Sequence, residues 1–545
     1  MKTKMSISNF FATAVIAMLT IANTYAQNNL GEACGCPPVA SRPTVDFATL
    51  ADGSQNLTAT HTILTCDKTW ILSQKFYVGN GKDITIQPGT VVKGEPESVP
   101  GTSRDGGVLV ISRGAKIFAA GTESCPIVFT TTLDPMDGTY GITNKGKWGG
   151  VVICGTATNN LVHPANTYTG TNGFLGTGTT GIGFVEGFTN IESRIYFGAG
   201  AGDPIATTFD DNDNSGIVTY CSFRHGGEII GAANEINGLT LCSVGRGTTI
   251  HHVEVVSNLD DGIEFFGGTV DVKYASVLFN DDDGFDWDLG YSGRGQFWVV
   301  VKTDQGTASG GDNGFESDSD DNKTNSATLS NPTVYNATFI GSNNINGNGT
   351  QKGIAVQCKE NTGGTIRNCV LANYKVGANF QNDATRPSGL DAYDNWIAGT
   401  LKVECNTYVG NTTLLQVNAA APSTGDSTKF VNDGNIVLGT IPGFDYIHGM
   451  NVSTNAVTDV MDAIPNPNLS VSGCPVAPVD GFFTPALYRG AFEAGKKSWL
   501  SNYSLNALLD LENDLVPCPT DVNKDGTTNN SDFLDLLGAF NQSCD

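Results

Sequence analysis

The sequence predicts an all-β protein, a right-handed parallel β-helix (solenoid), with a small α-helical module at its C-terminus. Three observations support this prediction. Short segments rich in β-branched residues recur between Gly, Asn, Asp and Pro residues, an Asp-Asp-Gly motif repeats in the middle of the chain, and an apolar helical pattern follows a polar loop near the end. The 67 glycines and the 16% of charged residues also disfavour a helical or doubly wound enzyme.

The first 26 residues have the pattern of a secretory signal peptide. Lys2 and Lys4 precede an apolar run, and Thr24-Tyr25-Ala26 supplies the small residues found before a cleavage site. This run is too short to cross a bilayer, so we predict a secreted protein, extracellular or on the outer cell surface, without a membrane span. Export also predicts that several of the 13 cysteines form disulfides.

The charge balance restricts the class of partner. With 55 acidic and 30 basic residues the formal net charge is −25. A surface of that sign repels phosphate backbones and anionic lipids, so we expect no nucleic-acid partner. Divalent cations are favoured instead.

Changes of pattern along the chain predict five segments. We assign them as a signal peptide (1–26), an N-terminal extension or solenoid cap (27–65), a parallel β-helix (66–500), a helical cap or linker (501–517) and a C-terminal module (518–545).

The clearest repeat fixes the predicted period of the solenoid. Asp260-Asp261-Gly262-Ile263-Glu264-Phe265 is followed 22 residues later by Asp282-Asp283-Gly284-Phe285-Asp286-Trp287, and after a further 30 by Asp312-Asn313-Gly314-Phe315-Glu316. One such period fits one coil, so equivalent residues are expected to stack about 4.8 Å apart. Ile263, Phe285 and Phe315 should then form an inward ladder.

The same stacking places carboxylates on neighbouring coils. Close carboxylates repel one another unless a cation neutralises them, and Ca²⁺ is abundant outside cells. The predicted calcium ligands here are Asp260, Glu264, Asp282, Asp286, Asp312 and Glu316. An alternative interpretation is that these Asp and Asn side chains only cap backbone groups at the corners.

Several segments together resemble a known family. They are Gly107-Val108-Leu109-Val110-Ile111, Pro126-Ile127-Val128-Phe129-Thr130, Lys147-Trp148-Gly149-Gly150-Val151-Val152-Ile153, the Asp-Asp-Gly repeats and Tyr488-Arg489-Gly490-Ala491-Phe492. This set is similar to exported β-helix proteins of marine and gut Bacteroidetes-type bacteria, over roughly residues 80–500. The resemblance implies the fold and says little about function.

The acidic repeats also resemble part of a polygalacturonase-like active site, which places Asp residues on adjacent coils. Arg224-His225-Gly226 precedes these acids instead of following them, and no Arg-x-Lys follows, so the remainder of that pattern is missing. For a lyase or hydrolase, the candidate catalytic residues are Asp261, Asp282, Asp283 and Arg294, with Lys273 as another possible base. Whether the protein is an enzyme is left open, and the balance favours a non-catalytic protein.

Two further sets of side chains bear on ligand binding. His251 and His252 are expected to point to opposite faces of a strand and therefore not to share a metal. Aromatic residues can stack on sugar rings or pack inward, and the candidates are Trp148, Trp287, Tyr291 and Trp298.

The C-terminal module contains the most specific motif. Oxygen-bearing residues occupy positions 1, 3, 5, 7, 9 and 12 of a twelve-residue loop with Gly526 at position 6, which is the calcium-ligand spacing of an EF-hand-like loop. The predicted ligands are Asp521, Asn523, Asp525, Thr527, Asn529 and Asp532. The loop is similar to one dockerin-type repeat. Dockerins carry two repeats to bind a cohesin, so with one repeat a cohesin-like partner is kept only as an alternative.

Taken together, these patterns predict a secreted or cell-surface calcium-binding β-helix protein that binds a polysaccharide or cell-surface glycan, or acts in adhesion. The first alternative is a polysaccharide lyase or glycoside hydrolase, pectate-lyase-like or polygalacturonase-like, acting on acidic polysaccharide. The second is a structural extracellular matrix protein.

The C-terminal loop generates a test of its own. Replacing Asp521 and Asp532 together by Ala removes the first and last calcium ligands of the loop. We expect the full-length chain to lose one bound calcium ion in a calorimetric titration, while calcium bound elsewhere is retained. An unchanged stoichiometry would contradict the assignment.

Overall fold

The computed structural model describes residues 30–97, 106–161, 181–186, 188, 192–231, 234–302, 313–319, 328–341, 353–387, 389–445, 449–451, 456–459, 468–496, 498–500 and 503–504. The predicted signal peptide, Asp312 and the whole calcium loop from Asp521 to Asp532 lie outside these residues.

Almost all regular structure in the described residues is β. The first strands are β1 (Thr44–Asp46), β2 (His61–Leu64), β3 (Thr69–Leu72), β4 (Lys75–Val78), β5 (Asp83–Ile86), β6 (Val91–Gly94), β7 (Val108–Ile111), β8 (Lys116–Ala120), β9 (Ile127–Thr131), β10 (Gly150–Cys154), β11 (Ile182–Phe184), β12 (Tyr196–Gly198), β13 (Gly216–Arg224), β14 (Ile229–Gly231), β15 (Asn234–Glu235), β16 (Leu239–Cys242) and β17 (Thr249–Val256). The later strands are β18 (Ile263–Phe266), β19 (Val272–Leu278), β20 (Phe285–Asp288), β21 (Arg294–Val301), β22 (Phe315–Ser317), β23 (Thr333–Tyr335), β24 (Thr338–Ile340), β25 (Ile354–Cys358), β26 (Gly364–Arg367), β27 (Val370–Ala372), β28 (Val376–Phe380), β29 (Leu401–Glu404), β30 (Thr407–Val409), β31 (Thr413–Val417), β32 (Ile436–Leu438), β33 (Gly449–Asn451) and β34 (Ala456–Asp459). Two α-helices are described, α1 (Ala392–Ala398) and α2 (Thr424–Asn432).

These strands form a parallel β-helix, which confirms the predicted fold class. A ten-stranded sheet takes one strand from each coil, in the order β31-β28-β25-β22-β20-β18-β16-β10-β7-β4, and an 18-stranded sheet takes most of the others. The pairs β11-β12, β14-β15 and β33-β34 form separate antiparallel two-stranded sheets. Each strand of the two large sheets pairs in parallel with its equivalent in the next coil, as β18 does with β20 and β20 with β22. Parallel neighbours of this kind require a long return path, which the remainder of each coil provides.

The predicted inward ladder is present. Ile263 is aligned with Phe285, and Phe285 with Phe315, and all three are fully buried. The Phe285 ring stacks on Trp298 of the other sheet at 4.2 Å between ring centroids. The core therefore consists of side chains from both sheets that interdigitate coil by coil.

Both ends of the solenoid are covered. At the N-terminal end, parallel pairing already begins with β1, and the Cys34–Cys125 and Cys36–Cys66 disulfides attach the preceding segment. At the C-terminal end, Trp396 of α1 stacks on Phe380 at 4.3 Å. Residues 468–496 then return along the outside and are attached by the Cys405–Cys474 disulfide.

One corner within the 18-stranded sheet has an unusual backbone. Equivalent residues of consecutive coils adopt a left-handed conformation, with φ between 49° and 59°. This left-handed corner consists of Tyr220, His252, Tyr274, Phe297, Asn336, Asn368 and Cys405. Few side chains other than Gly, Asn and Asp adopt this conformation, so its repetition reflects the tight bend that every coil must make.

None of the described helices is long and apolar enough to cross a membrane.

The aromatic stack yields a stability prediction. Truncating Phe285, which is fully buried between two coils, by Phe285→Ala should lower the free energy of unfolding by about 3–5 kcal/mol because it leaves a cavity. Denaturant titration followed by circular dichroism measures this loss. Val437→Ala, at a position 57% exposed, is the control and should change stability little. Equal effects of the two variants would refute the ladder.

Candidate functional site

The outer side of the ten-stranded sheet carries a column of carboxylates. Side chains alternate along each strand, so Glu264, Asp286 and Glu316 point away from the core between inward neighbours. Glu264 is aligned with Asp286, and Asp286 with Glu316, on three consecutive coils. The expected proximity of these three residues is therefore present. We call these residues and the acids around them the acidic face, which comprises Asp260, Asp261, Glu264, Asp282, Asp283, Asp286, Asp288, Glu316 and Asp318.

The turn before these strands uses some carboxylates to hold the backbone. The Asp283 N–H donates to Asp261 Oδ1 at 2.8 Å, and the Asn313 N–H donates to Asp283 Oδ1 at 2.7 Å. The Ile354 N–H continues the series by donating to Asn313 Oδ1 at 2.9 Å. Corner capping thus accounts for one oxygen of Asp261 and one of Asp283.

Carboxylate oxygens of the acidic face converge in three groups. In each group, one oxygen from each residue lies within 4.8 Å of the others. The groups are Asp260 with Asp261 and Asp282, Asp261 with Glu264 and Asp286, and Asp283 with Asp286 and Glu316. Since consecutive groups share Asp261 and Asp286, the acids form one connected cluster. The catalytic candidates Asp261, Asp282 and Asp283 all belong to it.

Lysines compensate part of this charge. Lys359 Nζ lies 2.8 Å from Glu316 Oε1 and 3.1 Å from Asp318 Oδ2. Lys302 Nζ donates to Asn280 Oδ1 at 2.9 Å and to the Asp282 carbonyl, so it sits at the edge of the cluster. These ammonium groups are outnumbered by the carboxylates they face. The acidic face therefore keeps a surplus of negative charge.

Burial and mutual repulsion change the acidity of the cluster. Burial, followed by the charges of Asp261, Glu264 and Glu316, raises the pKa of Asp286 well above its ordinary value. The pKa values of Asp261, Glu264, Asp283 and Asp318 are raised in the same direction, with burial as the largest cause. Asp286 Oδ1 is buried and has no hydrogen-bond partner among the described residues. An oxygen in this condition favours a proton or a cation.

The carboxylates of the acidic face also affect the protonation of Lys359. Burial alone lowers its pKa, but the adjacent carboxylates of Asp318 and Glu316 raise it above the usual lysine value. The ammonium is therefore held in its charged form. It can pair with an anion but is a poor proton acceptor.

Arg294 and Lys273 lie apart from the acidic face, on β21 and β19 of the 18-stranded sheet. Arg294 Nε donates to Asp271 at 3.0 Å and Arg294 Nη1 to Asp480 at 2.7 Å. The structure thus does not bring these basic residues together with Asp282 and Asp283.

The aromatic candidates are structural. Trp148, Trp287, Tyr291 and Trp298 are each at most 1% exposed and belong to the core. The interpretation that they stack on sugars is wrong, because all four side chains are buried in the core, Trp287 and Trp298 from strands and Trp148 and Tyr291 from the segments between strands.

The sequence patterns did not predict that Lys359 lies beside the acidic face. It follows Gln357, which is aligned with Glu316 on the next coil, but that coil has no Asp-Asp-Gly motif. The segment Gly353-Ile-Ala-Val-Gln, in which a glycine precedes an apolar strand, was the available signal that this strand belongs to the next coil of the same sheet. Asp312 and the six predicted ligands of the C-terminal loop lie outside the described residues.

Comparison with protein families identifies the solenoid. A family model described as a pectate-lyase-like β-helix domain matches residues 56–181 and 204–439, which is more than half of the chain. The second matched range includes every strand that carries the acidic face. No curated protein matches the chain.

The raised pKa values predict a pH dependence. A carboxyl whose pKa is higher in the folded than in the unfolded state, where it is about 4, stabilises the fold when protonated and loses that contribution as pH rises through the folded value. In EDTA, Asp286→Asn should therefore raise the thermal midpoint at about pH 8 and change it less at about pH 5. Differential scanning calorimetry measures this difference.

Asp210→Asn, at an exposed aspartate, is the matched control and should show no such difference. A lower midpoint for Asp286→Asn at about pH 8 would mean that the carboxylate is compensated in the metal-free fold.

Proposed function

The chain belongs to the family of pectate-lyase-like β-helix domains, and we propose that it is an extracellular protein that binds acidic polysaccharide through calcium ions held on the acidic face. The observation that carries this proposal is the convergence of carboxylate oxygens into connected groups on consecutive coils. The family description supports a polysaccharide ligand.

The spacing of the oxygens suits calcium. Calcium ligands lie at about 2.3–2.6 Å, so two oxygens on one ion can be at most about 5 Å apart. The oxygens of each group lie within 4.8 Å of one another. Hard oxygen ligands and a surplus of negative charge favour calcium over softer metals.

Each group supplies too few oxygens to complete a calcium site, which suggests that a bound glycan contributes the others. Calcium takes six to eight oxygens, whereas each group brings together three carboxylate oxygens, one from each residue. Water or the carboxylates of a uronate-containing chain would supply the others. A bound ion would thus bridge two anionic partners that otherwise repel each other.

An extracellular location accords with two observations. The N-terminal sequence has the pattern of a signal peptide, and three disulfides are present in the described residues. Disulfides persist in oxidising compartments, which is also where free calcium is plentiful.

A glycoside hydrolase on the same face is the second candidate. The raised pKa of Asp286 and its neighbours is the property that a general acid requires at neutral pH. A lyase receives less support, because it needs a base beside the substrate and Lys359 is held protonated by Asp318 and Glu316. We therefore propose binding without turnover as the primary function.

Asp286→Asn tests the proposal most directly, because Asp286 contributes to two of the three groups. In a calorimetric titration of the full-length chain with calcium, the ion bound by the C-terminal loop should be unchanged, and the remaining calcium binding should lose about tenfold or more in affinity, since about 1.4 kcal/mol of lost binding free energy corresponds to a factor of ten. Affinity electrophoresis in polygalacturonate should show calcium-dependent retardation of the wild type and little of the variant. Asp210→Asn should behave as the wild type.

Other outcomes would redirect the assignment. Release of reducing ends from polygalacturonate by the wild type, lost in Asp286→Asn, would establish the hydrolase. An increase in absorbance from unsaturated products would establish the lyase. Equal calcium binding by the wild type and Asp286→Asn, without retardation of either, would overturn the proposal and leave a structural matrix role.

A further inference from the structure

A cleft lies on the outer face of the 18-stranded sheet, away from the acidic face. It has a volume of about 440 Å³ and is bounded by β17, β19 and β21 on one side and by Gly481 and Phe482 on the other. Small-molecule sites occupy about 300–1,000 Å³, so the cleft is large enough for a sugar residue.

The wall formed by residues 481–484 is held in place by side chains of the sheet. Gln296 Nε2 donates to the Thr484 carbonyl at 2.7 Å, and the Thr484 N–H donates back to Gln296 Oε1 at 2.8 Å. Lys273 Nζ donates to the Phe482 carbonyl at 2.8 Å and to Thr484 Oγ1 at 2.7 Å. The cleft is thus a formed feature, which reduces the cost of ordering it on binding.

The left-handed corner supplies an aromatic edge to this cleft. His252 stacks on Tyr220 and on Tyr274 with ring centroids 4.4 Å apart in both cases, and Tyr274 stacks on Phe297 at 5.1 Å. His252 and Tyr274 line the cleft. His252 is stacked between Tyr220 and Tyr274, and Tyr274 between His252 and Phe297, so both rings present their edges to the cleft, where they can contact the apolar face of a sugar ring.

The expectation for the two adjacent histidines was wrong. His251 Nδ1 and His252 Nδ1 lie 2.9 Å apart, because the left-handed backbone at His252 (φ 52°) interrupts the alternation of the strand and brings both rings to the outside. Burial lowers the pKa of His251, and burial together with His251 lowers the pKa of His252 to about 3. Both rings are therefore neutral at pH 7.

Among the described residues, the charged side chains that line the cleft are three cations and Asp271, and Asp480 lies beside it as a partner of Arg294. Arg294 is paired with Asp271 and Asp480. Lys273 donates to neutral oxygens, and no carboxylate of the described residues forms an ion pair with it. Arg246 is exposed, and within the described part of the chain no hydrogen bond or ion pair involves its guanidinium. The cleft thus has an excess of positive charge in a chain whose net charge is −25.

We propose that this cleft binds an anionic sugar residue, with Arg246 and Lys273 contacting its carboxylate or sulfate group and its ring lying against His252 and Tyr274. Guanidinium and ammonium groups are the usual donors to such anions. The cleft would recognise one charged residue of a glycan without calcium. The inference rests on the proposed function only in taking an acidic glycan as the ligand class.

The test uses the full-length chain in EDTA, which silences any calcium-mediated binding. Calorimetric titrations with D-glucuronate, D-glucose 6-sulfate and neutral D-glucose distinguish a carboxylate from a sulfate ligand and either from an uncharged sugar. We expect one of the two charged sugars to bind, and binding to weaken with added salt. Arg246→Gln should weaken it about tenfold, as expected for loss of a charged hydrogen bond.

Arg246→Lys should restore part of the affinity, and Lys375→Gln, at an exposed lysine, is the matched control. The Arg246 backbone N–H contacts Asp211 and Thr269 irrespective of the side chain, so these variants should fold as the wild type does. Equal binding of glucose and the charged sugars, equal binding by Arg246→Gln and the wild type, or no binding of either charged sugar would overturn the inference. Calcium-dependent retardation in polygalacturonate would be unaffected by Arg246→Gln, so the two proposals can fail separately.

Discussion

In-register parallel pairing between consecutive coils is the constraint on which the structure depends. It places each residue above its equivalent one coil earlier, about 4.8 Å away. On the inner side of the ten-stranded sheet this produces the Ile263–Phe285–Phe315 ladder, and on the outer side the Glu264–Asp286–Glu316 column. The register that builds the core therefore also brings the carboxylates together. A change of register would displace both the ladder and the column.

The two columns have opposite energetic consequences. Stacked aromatic and aliphatic side chains stabilise the fold by their packing. Two carboxylates at that spacing instead repel each other by about 3 kcal/mol at an effective dielectric of about 20. Lys359, and the backbone N–H groups that donate to Asp261 and Asp283, relieve part of this repulsion. Protonation or a bound cation would relieve more. The packing of the apolar ladder directly behind the acidic face thus offsets the repulsion between its carboxylates.

The left-handed corner shows how one backbone feature changes the chemistry of a surface. Each coil bends there through a single residue, and the bend brings consecutive side chains such as His251 and His252 to the same side. Repeated over several coils, it produces a stack of half-buried rings on the outside of the sheet, next to Arg246 and Lys273. The molecule consequently presents an acidic face on one sheet and a basic, aromatic cleft on the other.

The sequence by itself determined the fold class and the acidic column, because both follow from a short period that is visible in the residues. The Asp-Asp-Gly repeats fixed which residues stack, and the alternation of the strand assigned Phe285 to the core and Asp286 to the outside. Only the tertiary structure decided the position of Lys359, the burial of Trp298, and the separation of Arg294 from Asp282. These depend on which sheet a strand joins and on where a single left-handed residue bends it, and neither is encoded in a local pattern of side chains.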